Sequence, residues 1–323
     1  MKPIRWILAL VTCLMVATCN DPTSAPGLVQ IRLQLNWVPE PEFGGIYAAE
    51  FDGLFREAGL EVEIIKDPGG AAVQQMIAQG VCDAGIVSGD QLLQFREQGG
   101  DLVAIYSVFD HTPYGIMVHA AGAPETLKEV WQGTGILAIE SGLPIWKFVD
   151  ATYGASTRKQ VPYGGAIAQF LSDPTLAQQC FVTSEPPLMD IQKVPVKVFS
   201  VSDIGFDPYS AVVAIRRDGM KPEVQKKFVE AMQKGWQRYM ANPAQYNPRI
   251  AALNPAMAVE AMNLGAKRMQ PLLLTPWTAE HGMGSMNPAR WQAMIDVLHS
   301  AGVIKTRPDP AVLMQWPLAS TKP

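Results

Sequence analysis

Short aliphatic and β-branched runs alternate with amphipathic stretches along the first two thirds of the chain. Between Ile31 and Val118 the apolar runs predict strands over 31–35, 61–65, 84–87 and 102–108, and the segments between them predict helices over 43–57, 70–79 and 89–98. Phe43, Ile46, Tyr47, Phe51, Leu54 and Phe55 fall on one helical stripe, and Gly59 and Gly80 stand where helix-ending glycines stand. A second rhythm runs from about Gly122 to Ile204, with strands expected over 135–139, 180–183 and 195–199 and helices over 124–131, 143–153, 165–172 and 185–191. The run Ala211–Ile215 reads as a strand leading out of it. This βαβα alternation predicts an α/β fold with mostly parallel, doubly wound sheets.

From Lys221 the pattern is helical. Val224, Phe228, Ala231, Gly235 and Tyr239 form one stripe; Trp291, Met294, Ile295 and Leu298 form another, begun by Asn287 as N-cap and Pro288 at the first helical position. No strand-rich stretch follows, so the tail is expected to pack back on the first lobe and brace the pair. The halves echo each other faintly. Ala84–Ser88 leads to Asp90, and Cys180–Ser184 leads to Glu185: in each a strand ends in Ser, with a carboxylate at a helix start.

The 323 residues suffice for one large or two medium cores, and 48% hydrophobic with 17% charged residues is an ordinary soluble balance. The formal net charge of −4 falls to −6 once Lys2 and Arg5 leave with a leader, which argues against nucleic acid or a membrane surface as the main partner. That leader is residues 1–18: a short basic start, then the apolar run Trp6–Ala17, of signal-peptide length and too short to span a bilayer. Val16-Ala17-Thr18-Cys19 resembles a lipobox with Cys19 as the lipidated residue. Thr18 stands where Gly, Ala or Ser is usual, so simple cleavage nearby is the alternative. Residues 19–30 then form a polar tether, and a lipid anchor is the only membrane attachment expected. Cys82 and Cys180 lack a CxxC or a neighbouring His and read as two buried free thiols.

Candidate chemistry gathers at strand-to-helix turns, where open α/β sheets meet ligands. The first is Leu33–Glu50, where Pro39 and Pro41 stop the strand and Trp37, Glu42, Phe43 and Tyr47 follow. Asp67-Pro68-Gly69-Gly70 offers backbone N–H groups, or is only a tight turn. Ser88 either caps its helix or meets a ligand oxygen beside Asp90, and Ser141 lies in a third turn. In the fourth, Ser184-Glu185, the acid either accepts a ligand N–H or favours the helix dipole. Tyr114, Trp146, Tyr209 and Tyr163 with Gly164 add rings near the crossovers; each alone is core as readily as platform, but several at strand ends suggest a cleft. The four histidines show no HExxH or paired-metal spacing, and the chain has no GxSxG elbow, Walker loop or GxGxxG. Asp110 and His111 are adjacent at a strand end, where side chains point apart, so no acid–base pair is read there.

The first turn, the run Gly53-Leu54-Phe55-Arg56-Glu57-Ala58-Gly59-Leu60-Glu61-Val62, the segments Val73–Gly80 and Asp83–Ile86, and the motifs Ser184-Glu185-Pro186 and Gly205–Tyr209 together resemble the NMT1/THI5-like family over roughly residues 30–240. The resemblance implies the type 2 periplasmic-binding fold, with lobe 1 from 31–116 and 211–323, lobe 2 from 117–210, and the ligand between them. It also implies a solute receptor, acting as a monomer, that delivers a thiamine-precursor pyrimidine, riboflavin, sulfonate, nitrate or similar molecule to an ABC permease. The family's intracellular pyrimidine synthases use their own His and a Cys-rich motif; the leader and the lack of a Cys cluster disfavour that branch. Where pyrimidine binders carry Asn-x-x-His after the Trp, this chain has Glu40-Pro41-Glu42-Phe43.

The reading is therefore a periplasmic or cell-surface binding protein without catalytic activity, cofactor or metal. Trp37 with one or more of Phe43, Tyr114, Tyr163 and Tyr209 is expected to sandwich a flat ring. Ser88, Asp90, Glu185 and backbone N–H groups would hold its polar edge. Glu42, Asp90 and Glu185 tilt the choice toward a heteroaromatic ligand rich in N–H donors over a sulfonate or nitrate.

Overall fold

A computed structural model describes residues 27–67, 72–165 and 167–318. The leader, Cys19, most of the tether and the Pro68–Gly70 turn lie outside them. Ten strands run through the described residues: β1 (Val29–Gln34), β2 (Leu60–Ile65), β3 (Ala84–Val87), β4 (Leu102–Phe109), β5 (Tyr114–His119), β6 (Ile136–Ile139), β7 (Lys159–Pro162), β8 (Ala177–Phe181), β9 (Val196–Ser200) and β10 (Ser210–Arg216). They form two five-stranded sheets, ordered β2-β1-β3-β10-β4 and β7-β6-β8-β5-β9. In each, four strands point one way and the strand entering from a crossover, β10 or β5, is reversed. The sequence echo has a topological meaning, because β3 and β8 hold the same central place in their sheets.

The strands β3, β10 and β4 of the first sheet are buried on both faces, which is why they read as continuous apolar runs, whereas β1 and β2 alternate. Along β4 and β10 the side chains alternate. Val103, Ile105, Val213 and Ile215 join one core with the helices Gly44–Phe51 and Pro222–Ala241. Leu102, Ala104, Val212 and Ala214 join the other with the helices Val73–Ala78, Gly89–Glu97 and Pro288–Ser300.

Three local expectations change. The helix expected over 43–57 is two, Gly44–Phe51 and Leu54–Glu57, separated at Gly53, whose φ of +73° lies in the left-handed region that ends helices. β5 and β7 were not foreseen. The Gly115 interruption and the preceding Thr-Pro disguise β5 as loop, while β7 is a mostly exposed edge strand ending in Pro162.

The chain changes sheets through Asp110–Pro113 and again after Ser200. Arg290, at the start of the tail helix Pro288–Ser300, clasps both passages: it reaches Asp110 at 2.6 Å and the Asp207 carboxylate at 2.8 Å. His111 bonds Asp207 at 2.6 Å and not its neighbour Asp110. The tail helix Val259–Leu273 spans the two lobes. Gly265 sits where a Cβ would fall 2.2 Å from the Thr183 carbonyl, and Arg268 pairs with Asp190 at 2.7 Å. Cys82 and Cys180 are buried free thiols.

Candidate ligand-binding site

Between the C-terminal ends of β1, β3, β6 and β8 lies a cavity of about 250 Å³. The first lobe contributes the turn Asn36–Glu42, which follows β1. Pro41 opens a short 3-10 turn, Pro41–Phe43, and points Glu40 and Glu42 inward, whereas Phe43 turns into the core at 1% exposure. The second lobe contributes Glu140, Tyr163, Gln179, Ser184 and Glu185.

Two contacts join the lobes over the cavity. The Trp37 and Tyr163 rings lie parallel within 8°, with centroids 6.0 Å apart. A ring held between them would need planes about 7 Å apart, twice the carbon contact distance. The two rings therefore stack on each other as one wall. Gly165 allows this: at φ +77°, its absent Cβ would lie 2.7 Å from Trp37 Cζ2. The second contact is the Ser184 hydroxyl, which donates to Glu40 Oε2 at 2.6 Å.

Polar groups are held firmly. Glu185 accepts from the Tyr163 hydroxyl and from the Phe181 N–H at 2.8 Å. Gln179 accepts from the Glu140 N–H at 2.7 Å and from the Trp146 ring N–H at 3.2 Å, and donates to Glu140 Oε2 at 2.7 Å. Ser88 donates to Asp90, whose Oδ1 also accepts the Gln91 N–H at 2.9 Å. Ala211 closes one side in a left-handed conformation, φ +52°, an uncommon strain for a residue with a Cβ.

Four carboxyl side chains line the cavity: Glu40, Glu42, Glu140 and Glu185. No Lys, Arg or His is among the described lining residues. Burial disfavours the charged form, so all four are pushed above the usual carboxylate range. Glu185 also raises Glu40, and Glu40 also raises Glu42. Glu42 Oε2 is buried without a hydrogen-bond partner.

Of the residues singled out in the sequence, Trp37, Glu42, Ser88, Tyr114, Tyr163, Ser184 and Glu185 come together at the cavity. The others lie elsewhere. Phe43 and Tyr47 pack in the first core. Asp90 lies behind Ser88, and Trp146 lies behind Gln179. Tyr209 is 1% exposed, packs on Trp291 and accepts the Asn287 N–H at 2.6 Å, so it secures the tail helix. Ser141 and Gly164 face solvent on their turns. Missed were Glu40, Glu140, Gln179 and Gln91. Gln178-Gln179 inside an otherwise apolar strand was the available signal, since a buried central strand rarely spends two places on amides.

No helix among the described residues is long and apolar enough to cross a membrane. The chain is 20% identical to the riboflavin-binding protein RibY of Chloroflexus aurantiacus, over 94% of this chain and 93% of that protein. It is 23% identical to the formylaminopyrimidine-binding protein of Halalkalibacterium halodurans, over 75% and 77% respectively. Among solved structures it resembles the alkanesulfonate-binding protein SsuA from Xanthomonas axonopodis pv. citri, with a TM-score of 0.67 and 14% identity, over 90% of this chain and 100% of that one. The fold is that of the periplasmic binding proteins, two α/β lobes about a cleft. The NMT1/THI5-like model matches residues 40–246, and the chain belongs to that family.

Proposed function

We propose that this protein is an exported solute receptor that captures a small planar heterocycle and delivers it to an ABC importer. The observation carrying this reading is the cavity's chemistry: four carboxyl groups, four amide side chains and no cationic side chain among the described lining residues. Such a lining accepts hydrogen bonds and suits a ligand that presents N–H groups. A sulfonate or nitrate would meet buried carboxyls with no positive partner, which is costly.

Size narrows the class. A dry cavity of about 150 Å³ holds benzene, so by proportion about 250 Å³ holds on the order of ten heavy atoms. A substituted one-ring pyrimidine fits that volume, and a three-ring flavin exceeds it unless the lobes part. The Trp37–Tyr163 stack walls the ring in, with Tyr114 and Phe181 beside it. Binding on one lobe would favour closure by the hinge, and the closed form would dock on the permease. The synthase reading has less support, because none of the four histidines lines the cavity.

A thermal-shift screen of the purified protein against aminopyrimidines, riboflavin and aliphatic sulfonates tests this. A native-state ligand raises stability by RT ln(1 + [L]/Kd), about 2.7 kcal/mol at a hundredfold excess over Kd. Aminopyrimidines should raise Tm. A shift with sulfonates alone would overturn the reading.

A further inference from the structure

Glu42 presents a problem that the remaining lining residues leave unsolved. The residue is 4% exposed and faces the cavity; its carboxyl shares a hydrogen bond with Glu40 and takes one from its own backbone N–H, but its Oε2 has no partner. The other carboxyls there leave no such buried oxygen: Ser184 donates to Glu40, Tyr163 and Phe181 to Glu185, and Gln179 to Glu140. A buried acceptor of this kind costs free energy until something donates to it. The space it faces is the cavity.

The charge balance points the same way. The groups facing Glu42 are Glu40 on its own turn, Glu185 at the helix start of the second lobe, Tyr114 on β5 and Tyr239 on the helix Pro222–Ala241. All are acids or neutral phenols. A buried ionised carboxyl needs a positive partner, and this neighbourhood supplies none. With the lobes together, the group stays neutral by holding protons, or it takes its positive charge from the ligand.

We propose that the ligand is a planar cation, an amidinium or protonated amino-heterocycle whose N–H edge meets Glu42 as its counter-ion, and that its entry releases a proton from the Glu40–Glu42–Glu185 group. This rests on the reading of the cavity as a solute site, and it adds the ligand's charge and the residue that selects it. An amidinium offers two parallel N–H donors to a carboxylate, the geometry of a two-point ion pair. The displaced proton goes to solvent, so charge is conserved in the cleft. Burial raises the acids, Glu185 to about 7 and Glu40 to about 8, so the exchange falls in the neutral range. Affinity for a permanent cation accordingly strengthens as pH rises through that range.

Benzamidine and benzamide separate charge from shape, being near-isosteric single rings that fit the volume. Isothermal titration calorimetry of the full chain with each, in two buffers of different ionisation enthalpy, reads both affinity and protons released. Expected are benzamidine binding at least about tenfold tighter than benzamide, on the order of one proton released, and tighter binding at about pH 8 than at about pH 6. Glu42→Gln should remove the preference and reduce the proton release, while Glu63→Gln, at an exposed position of β2 away from the cavity, keeps both. Circular dichroism and retained benzamide binding establish that Glu42→Gln is folded; an unfolded variant leaves the two-ligand comparison in the natural chain decisive. Equal binding of the two probes, or no proton release, overturns the proposal. If aminopyrimidines bind but benzamidine does not, the cation inference falls and the receptor reading stands. If neither they nor the probes bind, both fall.

Discussion

Ser184 donates its hydroxyl to Glu40 Oε2 at 2.6 Å, linking positions 144 residues apart on opposite lobes. Ser184 stands at the N-cap of the helix Glu185–Ile191, yet its side chain makes no cap hydrogen bond there, because the hydroxyl serves the other lobe. Ser184→Ala should lower stability by about 1 kcal/mol, the usual net worth of a neutral hydrogen bond. Urea denaturation of Ser184→Ala, Glu40→Gln and the double variant checks it. Purely additive losses would show that the contact is not energetically coupled.

Stability should fall as pH rises. Carboxyls ordinarily at 4.5 are raised in the folded protein, Glu185 to about 7 and Glu40 to about 8. Between those limits the folded chain holds more protons than the unfolded chain, so unfolding releases protons and becomes easier with rising pH. The stabilisation is fully present below about pH 4.5 and is lost through about pH 8. Glu40→Gln should flatten the Tm profile over this window, with a larger gain at its upper end. A profile of unchanged slope would contradict the assignment.

Gly165→Ala should damage binding more than folding. The added methyl meets Trp37 Cζ2 at 2.7 Å, and the left-handed φ of +77° costs a non-glycine residue about 1–2 kcal/mol. The Trp37–Tyr163 wall would part, weakening affinity for an identified ligand by about tenfold or more, or about 1.4 kcal/mol. Tryptophan fluorescence and calorimetry report the two effects separately.

Arg290→Ala removes the clasp on both crossovers. The Asp110 side chain is 3% exposed and would be left buried without its cation, a loss of about 3–5 kcal/mol. Chemical denaturation measures it. Thr275 also donates to Asp110, so Arg290→Lys, which keeps the charge but loses the fork, should recover part of the loss.

Much of the fold was legible because its causes are local. Alternating or continuous apolar runs mark β1 to β4, the helix stripe marks Pro222–Ala241, and Asn287-Pro288 marks the start of the last long helix. β5 was hidden because its strand character comes from ladders with β8 and β9, partners more than sixty residues on, while Gly115 weakens the local signal. Gly53 likewise reads as an ordinary interruption within a periodic stripe, and only its φ shows where the helix breaks.

The sequence by itself determined the α/β rhythm, the family and the position of the turn after Trp37, since periodicity, prolines and motif residues are properties of neighbouring positions. Tertiary structure alone decided which side chains of that turn face the cavity. Glu40 and Glu42 line the cavity, while Phe43 and Tyr47 fill the core beneath it, because the 3-10 turn at Pro41 and the close approach of Trp236 and Tyr239 to Gly45 and Gly44 set the rotation of the segment. It also decided that Glu40, Glu42 and Glu185 share one buried space. That grouping requires two lobes to meet, and the proton affinity it creates belongs to the cavity, not to any stretch of chain.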